Sequence, residues 1–151
     1  QLRRSRGDAP PGTRGTLIVL DASIIAAAVA DSGGAGRSAR NLLRRHGEAA
    51  WPDFADVETV AVLRKRWTAQ ALDDEAFLLA VDALAALPFT RFPARAFLGR
   101  VVELRANVSP YDAVYVALAE ALDAELVTAD RRLAAASGVR CRIRLVPSSG
   151  D

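Results

Sequence analysis

The chain has very little cysteine, and this restricts the kinds of site that it can carry. Cys141 is the sole cysteine among its 151 residues. A single thiol forms no intrachain disulfide, and it cannot supply the several cysteine ligands of a structural zinc site. Because the sequence needs no disulfide, it suits a reducing compartment, and we expect a cytoplasmic location.

The chain also lacks a hydrophobic run long enough to cross a bilayer. The apolar stretch Ile24–Ala30 lies between Asp21 and Asp31 and falls far short of the roughly 20 residues that a spanning helix needs. Residues 1–15 are rich in Arg, Gly and Pro and have no apolar core, which argues against a signal peptide. We therefore expect no membrane association and a disordered or extended N-terminal tail.

The remaining length is sufficient for one hydrophobic core. Hydrophobic residues make up 51% of the chain, and a chain of this size buries enough surface to fold as a unit. We expect a single domain over residues 16–147, followed by a short C-terminal tail over 148–151.

Lysine is scarce, so arginine carries the positive charge. Lys65 is the only lysine among 20 Lys and Arg residues, and the formal net charge is +2 with an isoelectric point of about 9.2. Arginine binds phosphate through paired hydrogen bonds, which suits a nucleic-acid partner. Genomic coding bias also produces Ala- and Arg-rich chains, so the overall charge is weak support for such a partner.

Short apolar runs alternate with helical patterns along the chain. The run Thr16–Leu20 is continuous and β-branched, which is typical of a strand buried on both faces of a parallel sheet. Strands are predicted at 16–20, 49–51, 89–92, 125–130 and 139–145, and helices at 24–30, 37–45, 52–67, 73–87, 93–107, 110–120 and just before Gly138. This order predicts an α/β fold, a three-layer sandwich with a central, mostly parallel sheet of about five short strands flanked by helices.

Three local features complete this prediction. Ser23 is the predicted N-cap of the first helix. The glycine-rich segment 31–36 is predicted to be a loop, because it follows a helix and lacks the lysine of a phosphate-binding P-loop. In 139–145 apolar residues alternate with arginines, which predicts a half-buried edge strand with a solvated arginine face.

The helix that opens at Ser109 is apolar on nearly every side. Ser109 suits the N-cap and Pro110 suits the first helical position. The residues that follow leave little polar surface, so we expect the helix to be largely buried. Asp112 in its first turn has two interpretations: a capping-box carboxylate that accepts the Ser109 N–H, or a carboxylate that the buried helix directs into a site.

Four acids lie where a common site is expected. Asp21 ends the first strand, and Thr128 and Asp130 end the fourth, where ligands of parallel sheets bind. Asp112 lies in the first turn of the helix that leads into the fourth strand. Glu58 lies on the apolar stripe of its helix, where a carboxylate is costly; a salt bridge to arginine or a position at the edge of the stripe would also explain it.

Clustered carboxylates without matching arginines favour a hard divalent cation with oxygen ligands, such as Mg²⁺ or Mn²⁺. A site of this kind activates water and stabilises a phosphodiester's developing charge without an imidazole base. This agrees with the position of His46, the sole histidine, at a helix C-terminus, where it complements the helix dipole.

With these acids and motifs in this order, the sequence resembles a PIN-domain ribonuclease of the VapC-like toxin type. The matching stretches are 18–23, 52–58, 109–119 and 126–133. The resemblance places the family's acids on Asp21, Glu58, Asp112 and Asp130, as metal ligands and catalytic residues, with Thr128 supporting the site. It implies endoribonuclease activity with Mg²⁺, or Mn²⁺ as a substitute. The Arg-rich N-terminal extension is the main departure from the family pattern.

The resemblance also implies partners. Such proteins act on RNA, usually as homodimers neutralised by a cognate antitoxin. The helices 53–67 and 73–87 are similar to the surface that grips the antitoxin, and Trp67 is the predicted anchor; ordinary core packing is the alternative for this side chain. A non-catalytic PIN-like module that binds RNA or protein is the alternative function. The intact set of acids favours the enzyme.

Overall fold

The computed structural model of the protein describes residues 16–147. The predicted tails, 1–15 and 148–151, lie outside the described residues. Within residues 16–147 the strands are β1 (Ile18–Leu20), β2 (Ala49–Pro52), β3 (Thr90–Phe92), β4 (Glu125–Thr128) and β5 (Ile143–Leu145). The α-helices are α1 (Ala22–Ala30), α2 (Gly34–His46), α3 (Ala55–Thr68), α4 (Asp74–Ala86), α5 (Leu98–Leu104), α6 (Pro110–Ala121) and α7 (Arg131–Ala134).

All five strands form one parallel sheet in the order β3-β2-β1-β4-β5. The central strand β1 is fully buried, as its continuous apolar sequence predicts. From β1 the chain passes to β2 and β3 on one side and later to β4 and β5 on the other. The topological switch point therefore lies between the C-terminal ends of β1 and β4, where open α/β sheets bind their ligands.

The helices form two groups. Helix α1 packs on α2, α3 and α4, whereas α5 packs on α6, which contacts β1, β2 and β4. Residues 113–119 of α6 are all buried, which confirms the burial predicted for this helix. The parallel sheet and its covering helices confirm the predicted three-layer α/β sandwich.

No helix within residues 16–147 has the length and apolar character needed to span a membrane.

Two predictions at the start of the chain were wrong. The N-cap of α1 is Asp21 and not Ser23, which lies inside the helix. Helix α2 begins at Gly34, inside the predicted glycine-rich loop. Gly36 makes this possible, because a Cβ at that position would lie 1.9 Å from the backbone oxygen of Asp31. The first turn of α2 can therefore approach the end of α1 closely.

Two later helices begin after their predicted starts. Pro52 belongs to β2, where it pairs with Phe92. Asp53 Oδ1 then accepts the N–H groups of Phe54 at 2.9 Å and Ala94 at 3.2 Å. As a result α3 begins at Ala55, and a 3-10 turn at Ala94–Phe97 precedes α5.

The last strand is shorter than predicted, since only Ile143–Leu145 pair with β4. The backbone before it is held by side chains instead: Arg100 donates to the Gly138 carbonyl at 2.7 Å, and the Arg140 N–H donates to Glu120 at 2.8 Å. The predicted edge position of β5 is confirmed.

Candidate active site

The register of the sheet sets two site residues side by side. Leu20 of β1 pairs with Val127 of β4, so the next residues, Asp21 and Thr128, are neighbours. The buried Thr128 hydroxyl donates a hydrogen bond to Oδ2 of Asp21 and accepts one from the Asp130 N–H at 3.0 Å. Thr128 thereby connects the two predicted acids at the switch point.

Both carboxylate oxygens of Asp21 are held in place. Oδ1 accepts the Ile24 N–H at 3.1 Å and the Ser23 hydroxyl at 2.7 Å, while Oδ2 accepts the Thr128 hydroxyl. Ser23 therefore supports the site and does not cap the helix. The sequence signal for this role is a serine two positions after a strand-ending aspartate.

Asp112 reaches the site from the first turn of α6. Ser109 Oγ accepts the Asp112 N–H at 3.3 Å and donates to Asp112 Oδ2 at 2.9 Å. A capping-box carboxylate would accept the Ser109 N–H instead. The hydroxyl contact holds the carboxylate and leaves Asp112 Oδ1 available to a ligand.

Glu58 is brought to the site by α3. Phe54, one turn earlier, packs edge-on against Tyr111 and Tyr115 of α6, with ring centroids 5.4 and 5.7 Å apart. Glu58 Oε1 is buried, and no residue of the described chain forms a hydrogen bond with it. The predicted alternative of a salt bridge is therefore wrong for the part of the chain that the structure describes.

The acids affect one another electrostatically, with Asp112 at the centre. Burial raises the pKa of Glu58 to about 7, and the charges of Asp112 and Asp21 add to this increase. Burial also raises the pKa of Asp21, reinforced by Asp112, and the pKa of Asp112, reinforced by Asp130. Asp130 is the exposed member, and its Oδ1 caps α7 by accepting the Arg132 N–H at 2.8 Å.

This donor set fits a hard divalent cation in its chemistry. It offers carboxylate oxygens, one of them buried and without a partner, and no ion pair formed within residues 16–147 neutralises Asp21, Glu58 or Asp112. In the present side-chain positions, residues 16–147 contain no group of three or more His, Cys, Asp or Glu side chains that could hold a metal ion. A cation that keeps several of its waters and uses one or two carboxylates, as Mg²⁺ does, suits such a cluster.

The raised pKa of Glu58 predicts how the stability of the metal-free protein depends on pH. The folded state binds the Glu58 proton more tightly than the unfolded state does. Protonation of Glu58 therefore contributes its full stability below the ordinary pKa of 4.5, and this contribution is lost as pH rises through about 7. We expect thermal melts in EDTA to show lower stability at pH 8 than at pH 5, with a smaller difference in Glu58→Gln. Glu75→Gln, an exposed change in α4, is the control, and equal pH dependence in all three proteins would contradict the prediction.

Comparison with known proteins agrees with this geometry. A family model described as PIN domain matches residues 18–139. Ribonuclease VapC1 of Mycobacterium tuberculosis is 40% identical over 129 residues, which cover 85% of this chain and 96% of that protein. These matches confirm the resemblance on which the sequence interpretation depends.

Solved structures share the fold. The crystal structure of PAE2754 from Pyrobaculum aerophilum superposes with a TM-score of 0.62 at 20% identity, covering 93% of this chain and 92% of that one. That of VapBC2 from Rickettsia felis, bound to a DNA fragment from its promoter, gives a TM-score of 0.61 at 17% identity, covering 86% and 98%. The chain belongs to the PIN domain family.

Proposed function

We propose that the protein is an endoribonuclease that depends on Mg²⁺ or Mn²⁺ and acts as the toxin of a toxin–antitoxin pair. The observation that carries the proposal is the cluster of coupled carboxylates at the switch point, which has no counter-ion within the described residues. Burying several carboxylates of like charge together costs free energy, and such clusters occur where function requires them. The name of the M. tuberculosis relative, a ribonuclease, gives the reaction class.

Each residue has a defined task in this proposal. Asp21, Glu58, Asp112 and Asp130 supply the carboxylate oxygens that hold the cation, one or two of them directly and the others through its waters. When bound, the cation activates water and stabilises charge on the phosphodiester. Thr128 keeps Asp21 oriented by its hydrogen bond to Oδ2. Ser23 and Ser109 do the same for Asp21 and Asp112.

The direct test is incubation of purified protein with total RNA in Mg²⁺, in Mn²⁺ and in EDTA. We expect cleavage with either ion and none in EDTA. A protein that binds RNA without cutting it in either ion would favour the alternative, a non-catalytic RNA-binding PIN-like module. A protein that does neither would leave a protein-binding module.

We further propose that the cognate antitoxin binds a surface formed by α3 and α4, here called the Trp67 surface. Trp67 is 41% exposed, so it is not a core residue. Its indole N–H donates to Asp74 at 2.6 Å and its ring lies 6.0 Å from that of Phe77, beside the exposed Leu78. These side chains and Arg64 line an apolar groove of the kind that accepts a partner helix. The R. felis neighbour is itself a VapBC assembly.

Replacing Trp67 by alanine is expected to weaken antitoxin binding by about 2 kcal/mol or more, roughly thirtyfold in Kd, because large aromatic anchors dominate such interfaces. Calorimetry with a co-purified antitoxin measures this. Leu145→Ala, which alters an exposed residue of β5 (43% exposed), is the matched control. Equal loss in both variants, or none in Trp67→Ala, would contradict the assignment.

The proposal includes a homodimer as the assembly state. Leu98 and Val102 are exposed on the same side of α5, at 55% and 59%, and exposed apolar side chains of this kind favour association. Sedimentation equilibrium of the free protein measures the assembly state directly.

A further inference from the structure

Tyr115 lies at the centre of α6 and has no task in the proposed function described so far. The side chain is 1% exposed, and no residue of the described chain forms a hydrogen bond with its hydroxyl. A buried hydroxyl without a partner costs free energy that phenylalanine, with the same ring, would not cost. This position therefore calls for a reason why the hydroxyl is present.

Helix geometry directs this hydroxyl toward the carboxylate cluster. Asp112 and Tyr115 are three residues apart on α6, so they share one face of the helix. The Phe54 ring, one turn before Glu58, lies edge-on to the Tyr115 ring with centroids 5.7 Å apart. The phenol thus lies where the start of α3 meets α6, on the side of the helix that carries Asp112.

Two buried oxygens in this region lack partners and have complementary chemistry. They are Glu58 Oε1, which can only accept when ionised, and the Tyr115 hydroxyl, which can donate. Thr59 Oγ1 is the third such atom, but a helical threonine can bond to the carbonyl four residues earlier by rotating its side chain. No similar local acceptor is available to a tyrosine hydroxyl at the end of its ring.

The electrostatic environment keeps the phenol in its donor form. Burial raises the pKa of Tyr115, and the negative charges of Glu58, Asp21 and Asp112 raise it further. The Ala22 N–H, at the start of α1, approaches the phenol oxygen as a donor and lowers the pKa of Tyr115, although the two atoms do not reach the geometry of a full hydrogen bond. Because the Ala22 N–H approaches the phenol oxygen as a donor, the phenol proton remains free to be donated to a carboxylate.

We propose that Tyr115 is a positioning residue whose hydroxyl donates to the Glu58 carboxylate when Glu58, Asp112 and Asp21 bind a divalent cation, and so orients Glu58 toward that cation. This inference rests on the proposed metal-dependent function. Groups that orient metal ligands by hydrogen bonds typically contribute 10- to 100-fold to metal affinity or activity. Removing the hydroxyl should therefore act on metal binding and not on folding.

The test is Mn²⁺ binding to the full chain, measured by electron paramagnetic resonance of free Mn²⁺, for wild type, Tyr115→Phe and Tyr111→Phe. Tyr111 is the matched control because it also packs edge-on against Phe54 but is 62% exposed. We expect Tyr115→Phe to weaken Mn²⁺ binding about tenfold or more, and Tyr111→Phe to bind as wild type does. In EDTA, Tyr115→Phe should melt at the wild-type temperature or above it, because an unsatisfied hydroxyl has been removed.

Activity gives a second readout. At limiting Mn²⁺, Tyr115→Phe should lower kcat with little change in the KM for RNA, and excess Mn²⁺ should restore kcat. A residue that merely filled space would not show this metal rescue. Unchanged Mn²⁺ affinity in Tyr115→Phe would overturn the inference and leave the proposed function intact, whereas a wild-type protein that binds no Mn²⁺ would overturn both.

A double-mutant cycle tests whether Tyr115 acts through Glu58. In a Glu58→Gln background the loss of Mn²⁺ affinity caused by Tyr115→Phe should disappear, because the oriented carboxylate is absent. Equal losses with and without Glu58 would overturn the assignment of Glu58 as the acceptor.

Discussion

Replacing Asp21 or Asp112 by asparagine (Asp21→Asn, Asp112→Asn) is expected to reduce RNA cleavage by at least about a thousandfold, which corresponds to about 4 kcal/mol of transition-state stabilisation. Each change replaces an anionic oxygen ligand with a neutral amide of nearly the same shape. In Asp112→Asn the amide oxygen can still accept from Ser109. In Asp21→Asn it can replace only one of the two acceptor oxygens, either the partner of Thr128 or the partner of Ser23 and Ile24. Loss of activity in Asp112→Asn would therefore report the lost charge at the metal, whereas in Asp21→Asn it would report the lost charge together with a lost orienting hydrogen bond.

Asp123→Asn is the matched control for this experiment. Asp123 lies at the opposite, N-terminal end of β4, and its φ of 49° is in the left-handed region that asparagine tolerates well. Cleavage should be measured on a defined RNA in Mg²⁺ after treatment that removes contaminating nucleases. Full activity of either site variant would contradict the proposed role of that carboxylate, and loss in Asp123→Asn would show that the assay responds to stability.

Mn²⁺ is expected to stabilise the folded protein strongly, and Asp112→Asn should remove most of this effect. An ion that binds only the folded state stabilises it by about 2.7 kcal/mol at a hundred times its Kd, which is roughly 10 °C in melting temperature for a domain of this size. The shift should be larger near neutral pH than near pH 5. With its pKa raised to about 7, Glu58 binds a proton at the lower pH, and this proton competes with the metal; the raised pKa of Asp112 acts in the same direction.

The metal-free state distinguishes the two interpretations of Asp112. Burial raises the pKa of Asp112 and repulsion from Asp130 adds to the increase, so Asp112→Asn in EDTA should be as stable as wild type or more stable, by about 1 kcal/mol at an effective dielectric constant near 20. A carboxylate that served only as a helix cap would instead cost roughly 1 kcal/mol when removed. Thermal melts of both proteins in EDTA and in Mn²⁺ make the comparison. A destabilised variant with a wild-type Mn²⁺ shift would reject the metal-site role.

Local sequence patterns contain enough information for the elements and for the chemical type of the site. The apolar run of β1, the Ser109-Pro110 start of α6 and the strand-ending Asp21 and Asp130 are local signals, because they depend on residues adjacent in sequence. Starts of elements that depend on distant neighbours were predicted poorly. Helix α2 begins among glycines because Gly36 touches Asp31, and β5 is shortened because Arg100 and Glu120 hold the backbone before it.

By itself the sequence determined the parallel α/β architecture, the apolar character of α6 and the identity of four acids suited to a divalent cation. Only the tertiary structure decided how these acids meet: the pairing of Leu20 with Val127 sets Asp21 beside Thr128, and burial with mutual repulsion brings the pKa of Glu58 to about 7. Tyr115 shows the same division, since in the sequence it is one more apolar residue of a buried helix. Its hydroxyl acquires a possible partner only when α3 and α6 pack together. Residue type and spacing act over a few positions, whereas strand register, burial and charge coupling arise between segments far apart in the chain.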